Sequence, residues 1–542
     1  MRFPLTAFLR PTFNRLQTPF RFYRMASTMA PSTAGRTYAD AINLLNSLQS
    51  NAAVIEAIRK GGGKSGDQLM QEMVEYLTRI GYQPADLNPL NVLHITGTKG
   101  KGSTSAFTES ILRTLAPQAK TGLYTSPHMV AVRERIRING KPIEEDVFAR
   151  YFFEVWDRLE RKPERKDPDT PEKPAYFRYL TILAFHVFLQ EKVDATILEV
   201  GVGGTYDSTN IVPAPITTGV TSLGIDHIFV LGKTLPEIAA QKGGIYKPNV
   251  PALAIDQPAE GLDVLRSRAA ELKAQSFTVV PEHPELANIK LGLAGLHQRT
   301  NASLSISLVQ SFLSSPRLPS AYSSHALPHS TSDPLPSSLI APTPLPAAIR
   351  KGLEETTWPG RCQVEKDAKV EGVTWYLDGA HTVESLKCCG EWFGEEALSK
   401  KTEASTTRTL IFNCTSGRSG ASLLGTLLAA LSATSGSKHP FQHVIFCTNT
   451  TYKEGSKGDL ANNSISTSDL EHLTTQHELS DAWADLSATS LPTAKAEVHI
   501  LASIEEAVDL VRGNGQGEAE VLVTGSLHLV GGVMEVAGLS IG

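Results

Sequence analysis

Residues 97–103 read Gly-Thr-Lys-Gly-Lys-Gly-Ser, three glycines interleaved with two lysines. Glycines let backbone N–H groups approach phosphate oxygens, a following helix adds free N–H groups and the positive end of its dipole, and one lysine neutralises charge. The stretch reads as a phosphate cradle. It departs from the usual spacing, because two fewer residues separate the glycines and Gly102 intervenes between Lys101 and the hydroxyl of Ser103. The residue after that lysine normally holds magnesium, so a metal here needs another ligand. Glu199, at the carboxyl end of an apolar run, is the candidate, since a strand-end carboxylate faces the ligand crevice and is a hard oxygen donor. Asp226 and His227 follow the next apolar run, and Lys242 precedes two glycines. Further on, Asp378 and His381 directly follow another run, and Arg361 stands just before it. A strand-end Asp binds ribose or positions a nucleotide, and an arginine reaches its phosphates.

These side chains need a scaffold that gathers strand ends. Between residues 91 and 255, predicted strands at 92–96, 121–125, 195–200, 217–223 and 251–255 alternate with predicted helices at 101–115, 146–161, 177–190 and 235–241. That alternation implies a mainly parallel sheet covered on both faces. A short helix over 347–355 leads to a second alternation, with strands at 374–377, 409–413, 443–447, 498–501 and 521–524, which implies a smaller α/β domain. Between the two lies 311–346, where eighteen of thirty-six residues are Ser or Pro and only Arg317 and Asp333 carry formal charge. Such composition is expected to form no packed core and reads as a disordered insertion.

A chain of 542 residues exceeds one ordinary core, and 41% hydrophobic with 20% charged residues and a net charge of -5 describe a soluble protein without the basic excess of nucleic-acid binders. No apolar run reaches the roughly 18 residues of a membrane span. Five cysteines without C-x-x-C spacing argue against both a disulfide framework and a zinc site. Arg2, Arg10, Arg15, Arg21 and Arg24 precede any acidic residue, a transit-peptide composition, and Met25 offers an alternative start. Mitochondrial and cytoplasmic forms are expected.

Taken in order, HITGTKGKGSTSAFTE, EVGVGGTYDSTN, GIDHIFVLGKT, QKGGIYKP, HQRTNASL, TWPGRCQV, YLDGAHT and VLVTGSLHLVGGVM resemble the folylpolyglutamate synthase family of the Mur-ligase superfamily, in its eukaryotic form. The resemblance implies an α/β protein with an N-terminal P-loop ATPase domain over 39–346 and a smaller, Rossmann-like C-terminal ligase domain over 347–542, behind a presequence of residues 1–38. It implies ATP bound by Gly97, Gly100, Lys101, Gly102, Ser103, Arg361 and Asp378, and Mg2+ held by Ser126, Glu199 and His227. Lys101, Lys242 and His381 would be catalytic, with Lys242 matching a lysine that is often carbamylated, and His381 and Ser526 would bind glutamate. A monovalent cation is a further expectation. The implied partners are tetrahydrofolate and its polyglutamates, L-glutamate and ATP, with folate near 126–137, no nucleic acid, peripheral membrane contact at most, and a monomeric chain.

The implied reaction activates a folate carboxylate as an acyl phosphate at the expense of ATP, then joins it to the amine of glutamate. Folate made polyanionic in this way crosses membranes poorly and stays available for one-carbon metabolism. Three alternatives share the cradle: a dihydrofolate synthase, a small-molecule kinase, and a switch that senses ATP without ligation.

Overall fold

The computed structural model describes residues 36–50, 64–328, 344–399, 406–414, 419–436, 440–455, 458–460, 472–490, 496–513 and 517–540. Residues 1–35, with Met25, and 329–343 of the Ser/Pro-rich segment lie outside them.

Two sheets organise the chain. The first contains β1 (Val92–Thr96), β2 (Thr121–Tyr124), β3 (Ile136–Ile138), β4 (Lys141–Pro142), β5 (Ala195–Glu199), β6 (Thr217–Val220), β7 (Pro251–Ile255) and β8 (Ser276–Val280). Their order is β4-β3-β2-β5-β1-β6-β7-β8, parallel throughout except for the β2–β3 and β3–β4 pairs. β1 is flanked by β5 and β6, and all its residues are buried. The chain turns to one side of β1 to build β2 and β5 and to the other to build β6, so the strand order reverses at β1. A crevice opens at the carboxyl ends of strands at such a point.

The second sheet contains β9 (Gln363–Lys366), β10 (Val373–Leu377), β11 (Thr407–Phe412), β12 (His443–Cys447), β13 (Glu497–Leu501) and β14 (Ala519–Thr524). Its order is β13-β12-β11-β14-β10-β9, parallel except at β9–β10. Asp378 follows β10 and Ser526 follows β14, and these strands are direct neighbours. The expected α/β architecture with a mainly parallel first sheet is therefore observed, with antiparallel additions at the edges. Those additions are short or polar and carry little hydrophobic signal.

The segment 311–346 departs from its expectation. Residues 311–313 finish a helix, His297–Leu313, and Ser320–His325 forms a 3-10 turn that buries Tyr322 completely. Tyr322 meets Phe312 edge to face, with ring centroids 5.1 Å apart, in the core beneath the first sheet. Average composition hides this, because a few well-placed apolar side chains suffice to anchor a Ser/Pro-rich stretch. The helix Ala347–Glu354 packs on the first lobe too: Ile349 and Leu353 join the same core, and a Cβ at Gly352 would lie 2.7 Å from Ile111 Cα. Close approach there requires glycine.

The buried Tyr322 hydroxyl finds no hydrogen-bond partner among the described residues. Tyr322→Phe is thus expected to leave stability unchanged, whereas Tyr322→Ala, which opens a cavity, should cost on the order of 3 kcal/mol in urea unfolding.

Candidate active site

The glycine loop is held from beneath by β6 and its continuation. Thr98 N and Lys99 N both donate to Ser222 O, at 2.8 and 3.1 Å, and Thr221 Oγ1 donates to Lys99 O at 2.6 Å. Two glycines are dictated by this packing. A Cβ at Gly97 would stand 1.8 Å from Thr221 Oγ1, and Gly100, at φ 85°, has Asn301 Oδ1 at 2.3 Å from the same position. The helix Lys101–Leu115 then begins with no capping side chain and no acid in its first turn. Its leading N–H groups point at whatever occupies the crevice, which favours an anion.

Charge concentrates around the loop. Glu199, at the end of β5, is 4% exposed, and its Oε2 accepts a hydrogen bond from Ser126 N at 3.1 Å. Burial pushes its carboxyl up, while Lys101, the Ser126 N–H and Arg361 pull it back. Lys242 is 3% exposed and donates from Nζ to Gly97 O at 2.8 Å. Burial, reinforced by the charge of Lys101, brings its ammonium down to about 7. The structure therefore gathers Lys101, Ser126, Glu199 and Lys242 around one turn of backbone. Ser103 Oγ is buried and accepts from Gln298 Nε2 at 3.3 Å.

His227 stands apart from that group. It adopts φ 50°, its side chain is half exposed, and its Nε2 lies 3.9 Å from Asp226 Oδ2. The charge of Asp226 reaches Lys242, so the pair occupies the rim of the same crevice.

The second lobe closes the cleft from the other side. Gly102, Ser126 and Glu199 share one cavity with Trp358, Arg361 and Leu527. Both Asp378 oxygens are used by nearby backbone: Oδ2 accepts from Cys362 N at 2.8 Å and Oδ1 from Ala380 N at 2.9 Å. Asp378 thus fixes the turn that carries Arg361. His381 Nδ1 lies 2.9 Å from Gly379 O, and Ser526 Oγ caps the final helix, Leu527–Ala537, by accepting from Leu529 N at 3.4 Å. Lys99, the second lysine of the loop, crosses between the lobes to Glu384, with Nζ 2.5 Å from Oε2. Sequence reasoning did not find this partner, because nothing local links the two residues.

The 126–137 segment is fixed as well. The Glu134 carboxylate accepts from the N–H groups of Met129, Val130 and Ala131 at 3.1, 2.9 and 2.6 Å. Arg135 Nε donates to His128 Nδ1 at 2.9 Å, so the proton of this neutral imidazole sits on Nε2 and is donated to Asp459 O at 3.1 Å. Asp459 comes from the second lobe, and its Oδ1 also accepts from Val132 N and from the hydroxyl of Tyr38.

A family model described as "Dihydrofolate synthetase, C-terminal domain" matches residues 361–536. A folylpolyglutamate synthase of Saccharomyces cerevisiae (strain FostersO) is 43% identical over 544 aligned positions, covering 99% of this chain and 93% of the relative. Among solved structures, Mycobacterium tuberculosis folylpolyglutamate synthase complexed with ADP aligns at TM-score 0.64 and 20% identity, covering 93% of this chain and all of that one. Escherichia coli FolC in complex with DHPP and ADP aligns at TM-score 0.61 and 23% identity, covering 94% and 99%.

Two outcomes follow from the charges. The Lys242 amine loses its proton near pH 7 when folded and near its ordinary 10.5 when unfolded. Between these values the unfolded chain binds more protons, so stability should rise with pH, by at most about 1.4 kcal/mol per unit. Lys242→Met should remove that component from a comparison of unfolding midpoints at pH 7 and pH 9. Lys99 and Glu384 are 37% and 74% exposed, so a double-mutant cycle with Lys99→Ala and Glu384→Ala should give a coupling of no more than about 1 kcal/mol that fades in high salt.

Proposed function

The chain belongs to the folylpolyglutamate synthase family, and from that premise we propose which of its residues carry the family's reaction. The enzyme is an ATP-dependent ligase that adds L-glutamate to folate, with ADP and phosphate as the other products. The observation that supports our assignment of roles most directly is the shared cavity, in which the loop's Gly102 and the buried Glu199 of one lobe face Arg361 of the other.

A carboxylate and an ammonium do not condense at neutral pH, so the folate carboxylate must first be activated. The γ-phosphoryl of ATP passes to the terminal γ-carboxylate oxygen, the bond to the β-phosphate oxygen breaks, and ADP leaves. The N–H groups that follow Gly100, together with Lys101, would stabilise charge on the transferring group. The deprotonated α-amine of glutamate then attacks the acyl carbon, and phosphate departs from the tetrahedral intermediate. Arg361 would reach the nucleotide, and Asp378 would hold the turn that aims it. Closely joined lobes would keep water from the acyl phosphate.

A hard divalent ion fits beside the loop, because the Glu199 carboxylate is buried there and Ser126 is joined to it. Glu199 and Ser126 would hold Mg2+, with His227 approaching from the rim. When bound, it would neutralise phosphate charge as a Lewis acid. Burial brings the Lys242 ammonium down to about 7, which raises the share of neutral amine, the form that takes up carbon dioxide, so its carbamylation is part of this reading. His381 and Ser526, at the start of the second lobe's helices, would receive glutamate, and the rigid 126–137 segment would border folate. We further propose that the ligase acts as a monomer, in both mitochondrion and cytoplasm, through initiation at Met1 and Met25.

The family model matched by the second lobe carries the name of dihydrofolate synthetase, which gives a second reading in which dihydropteroate is the acceptor. Purified protein starting at Met25, given ATP, Mg2+ and labelled glutamate, distinguishes the two. Label is expected in tetrahydrofolate, matched by ADP release. Label only in dihydropteroate would establish the second reading. Lys101→Ala and Glu199→Ala should each lower kcat by about 10²–10³ without unfolding the chain.

A further inference from the structure

The second lobe holds a cluster that ligation does not use. His443 opens β12, and Glu497 and His499 lie on β13, the edge strand beside it. Parallel register pairs His443 with Glu497, and Glu497 and His499, two residues apart, share one face of the sheet. His443 Nδ1 lies 3.4 Å from Glu497 Oε2 and 3.5 Å from His499 Nε2, and His499 Nε2 lies 3.9 Å from Glu497 Oε1. The two imidazole rings lie 29° from parallel, with centroids 5.7 Å apart.

These separations carry chemical information. Zinc binds imidazole nitrogen and carboxylate oxygen at about 2.0–2.1 Å, so donors at neighbouring corners of its tetrahedron stand roughly 3.3–3.4 Å apart. The two imidazole nitrogens stand 3.5 Å apart, close to one such edge, and each has a different Glu497 oxygen at 3.4 or 3.9 Å. Rigid strands hold their Cα atoms, and small side-chain rotations would complete the geometry. The imidazoles are 21% and 18% exposed and Glu497 is 66% exposed, so the cluster opens to solvent on one side, where water would take the fourth corner.

We propose that His443, Glu497 and His499 form a binding site for a late first-row divalent ion, zinc in the first instance. Two imidazoles and one carboxylate suit Zn2+, Cu2+ or Ni2+, whereas Mg2+ prefers oxygen donors and keeps its water. The thiolate pattern absent from the cysteines is not needed for such a site. His443 and Glu497 begin their strands, while Asp378 and Ser526 follow the carboxyl ends of theirs, so the ion sits at the opposite end of the sheet from the cleft. Its role is structural: it ties the edge strand β13 to β12. A metal-free cluster would instead share a proton between the two imidazoles, the arrangement that a 3.5 Å nitrogen separation also permits.

The test uses the full chain stripped with chelator and kept in millimolar Mg2+, so that the ligase cleft is occupied. Zn2+ is titrated against a chromophoric chelator, and Co2+ is added separately to read its visible absorption. The same is done with a His443→Asn/His499→Asn variant, and with Glu497→Gln alone. The native chain is expected to bind one more equivalent of Zn2+ than the double variant and to show tetrahedral Co2+ bands that the variant lacks. Glu497→Gln should weaken Zn2+ by tenfold or more. Zn2+ should raise the unfolding temperature of the native chain only. Undiminished glutamate ligation in Mg2+ would confirm that the variants are folded. Equal stoichiometry and equal Co2+ spectra in native and variant chains would overturn the proposal, as would the absence of saturable Zn2+ binding.

Discussion

Two lysines, Lys101 and Lys242, converge on one turn of backbone, and a buried site holds them together only if each finds a partner or gives up its proton easily. Gly97 O answers Lys242, and Glu199 answers Lys101. The rest of the first lobe serves this arrangement. β1 must be central so that strands on both sides deliver an acid and a carbonyl to the same point. The loop must be glycine where Thr221 and Asn301 press against it. Lys242 must leave its helix at a depth where its proton is held weakly.

The second lobe reaches that cradle by several separate routes. Arg361 bears on Glu199, Lys99 meets Glu384, and Asp459 is received by Val132 and Tyr38. The first two lie at the glycine loop, and the third lies beside the 126–137 segment. The Lys99–Glu384 pair is exposed and so holds the lobes only weakly, whereas Glu199 is buried. Asp459 differs, since burial raises its carboxyl and its oxygen has two donors. Its hydrogen bonds are sheltered from the solvent that loosens the exposed Lys99–Glu384 pair.

How much of this could be read from residues alone depended on locality. β1 and the helix Lys101–Leu115 stand where hydrophobic pattern and glycines place them, because a strand, a glycine turn and a helix are each specified within a few residues. Glu199 was legible as a strand-end acid. The helix His297–Leu313 was not, because serines fill its buried faces and blur the apolar period. β9 reads Gln-Val-Glu-Lys and shows no hydrophobic pattern. Tyr322 was masked by its Ser/Pro surroundings, and the exposure of His227 depends on a left-handed turn that no residue type announces. The cluster of His443, Glu497 and His499 arises only when two strands pair in parallel, a relation invisible along the chain.

The helix His297–Leu313 also changes what the glycine loop is. Gln298 donates to Ser103, Asn301 packs on Gly100, and Ser305 Oγ donates to Thr104 O at 3.0 Å. The helix's small side chains let it lie this close to the one that begins at Lys101, and from there it braces the cradle along its first turns. The loop is therefore not a portable cassette. Residues 94–105 grafted onto another strand and helix would bring the N–H groups that meet phosphate but leave behind the wall that keeps them aimed, and inheritance of this site means inheritance of both helices together.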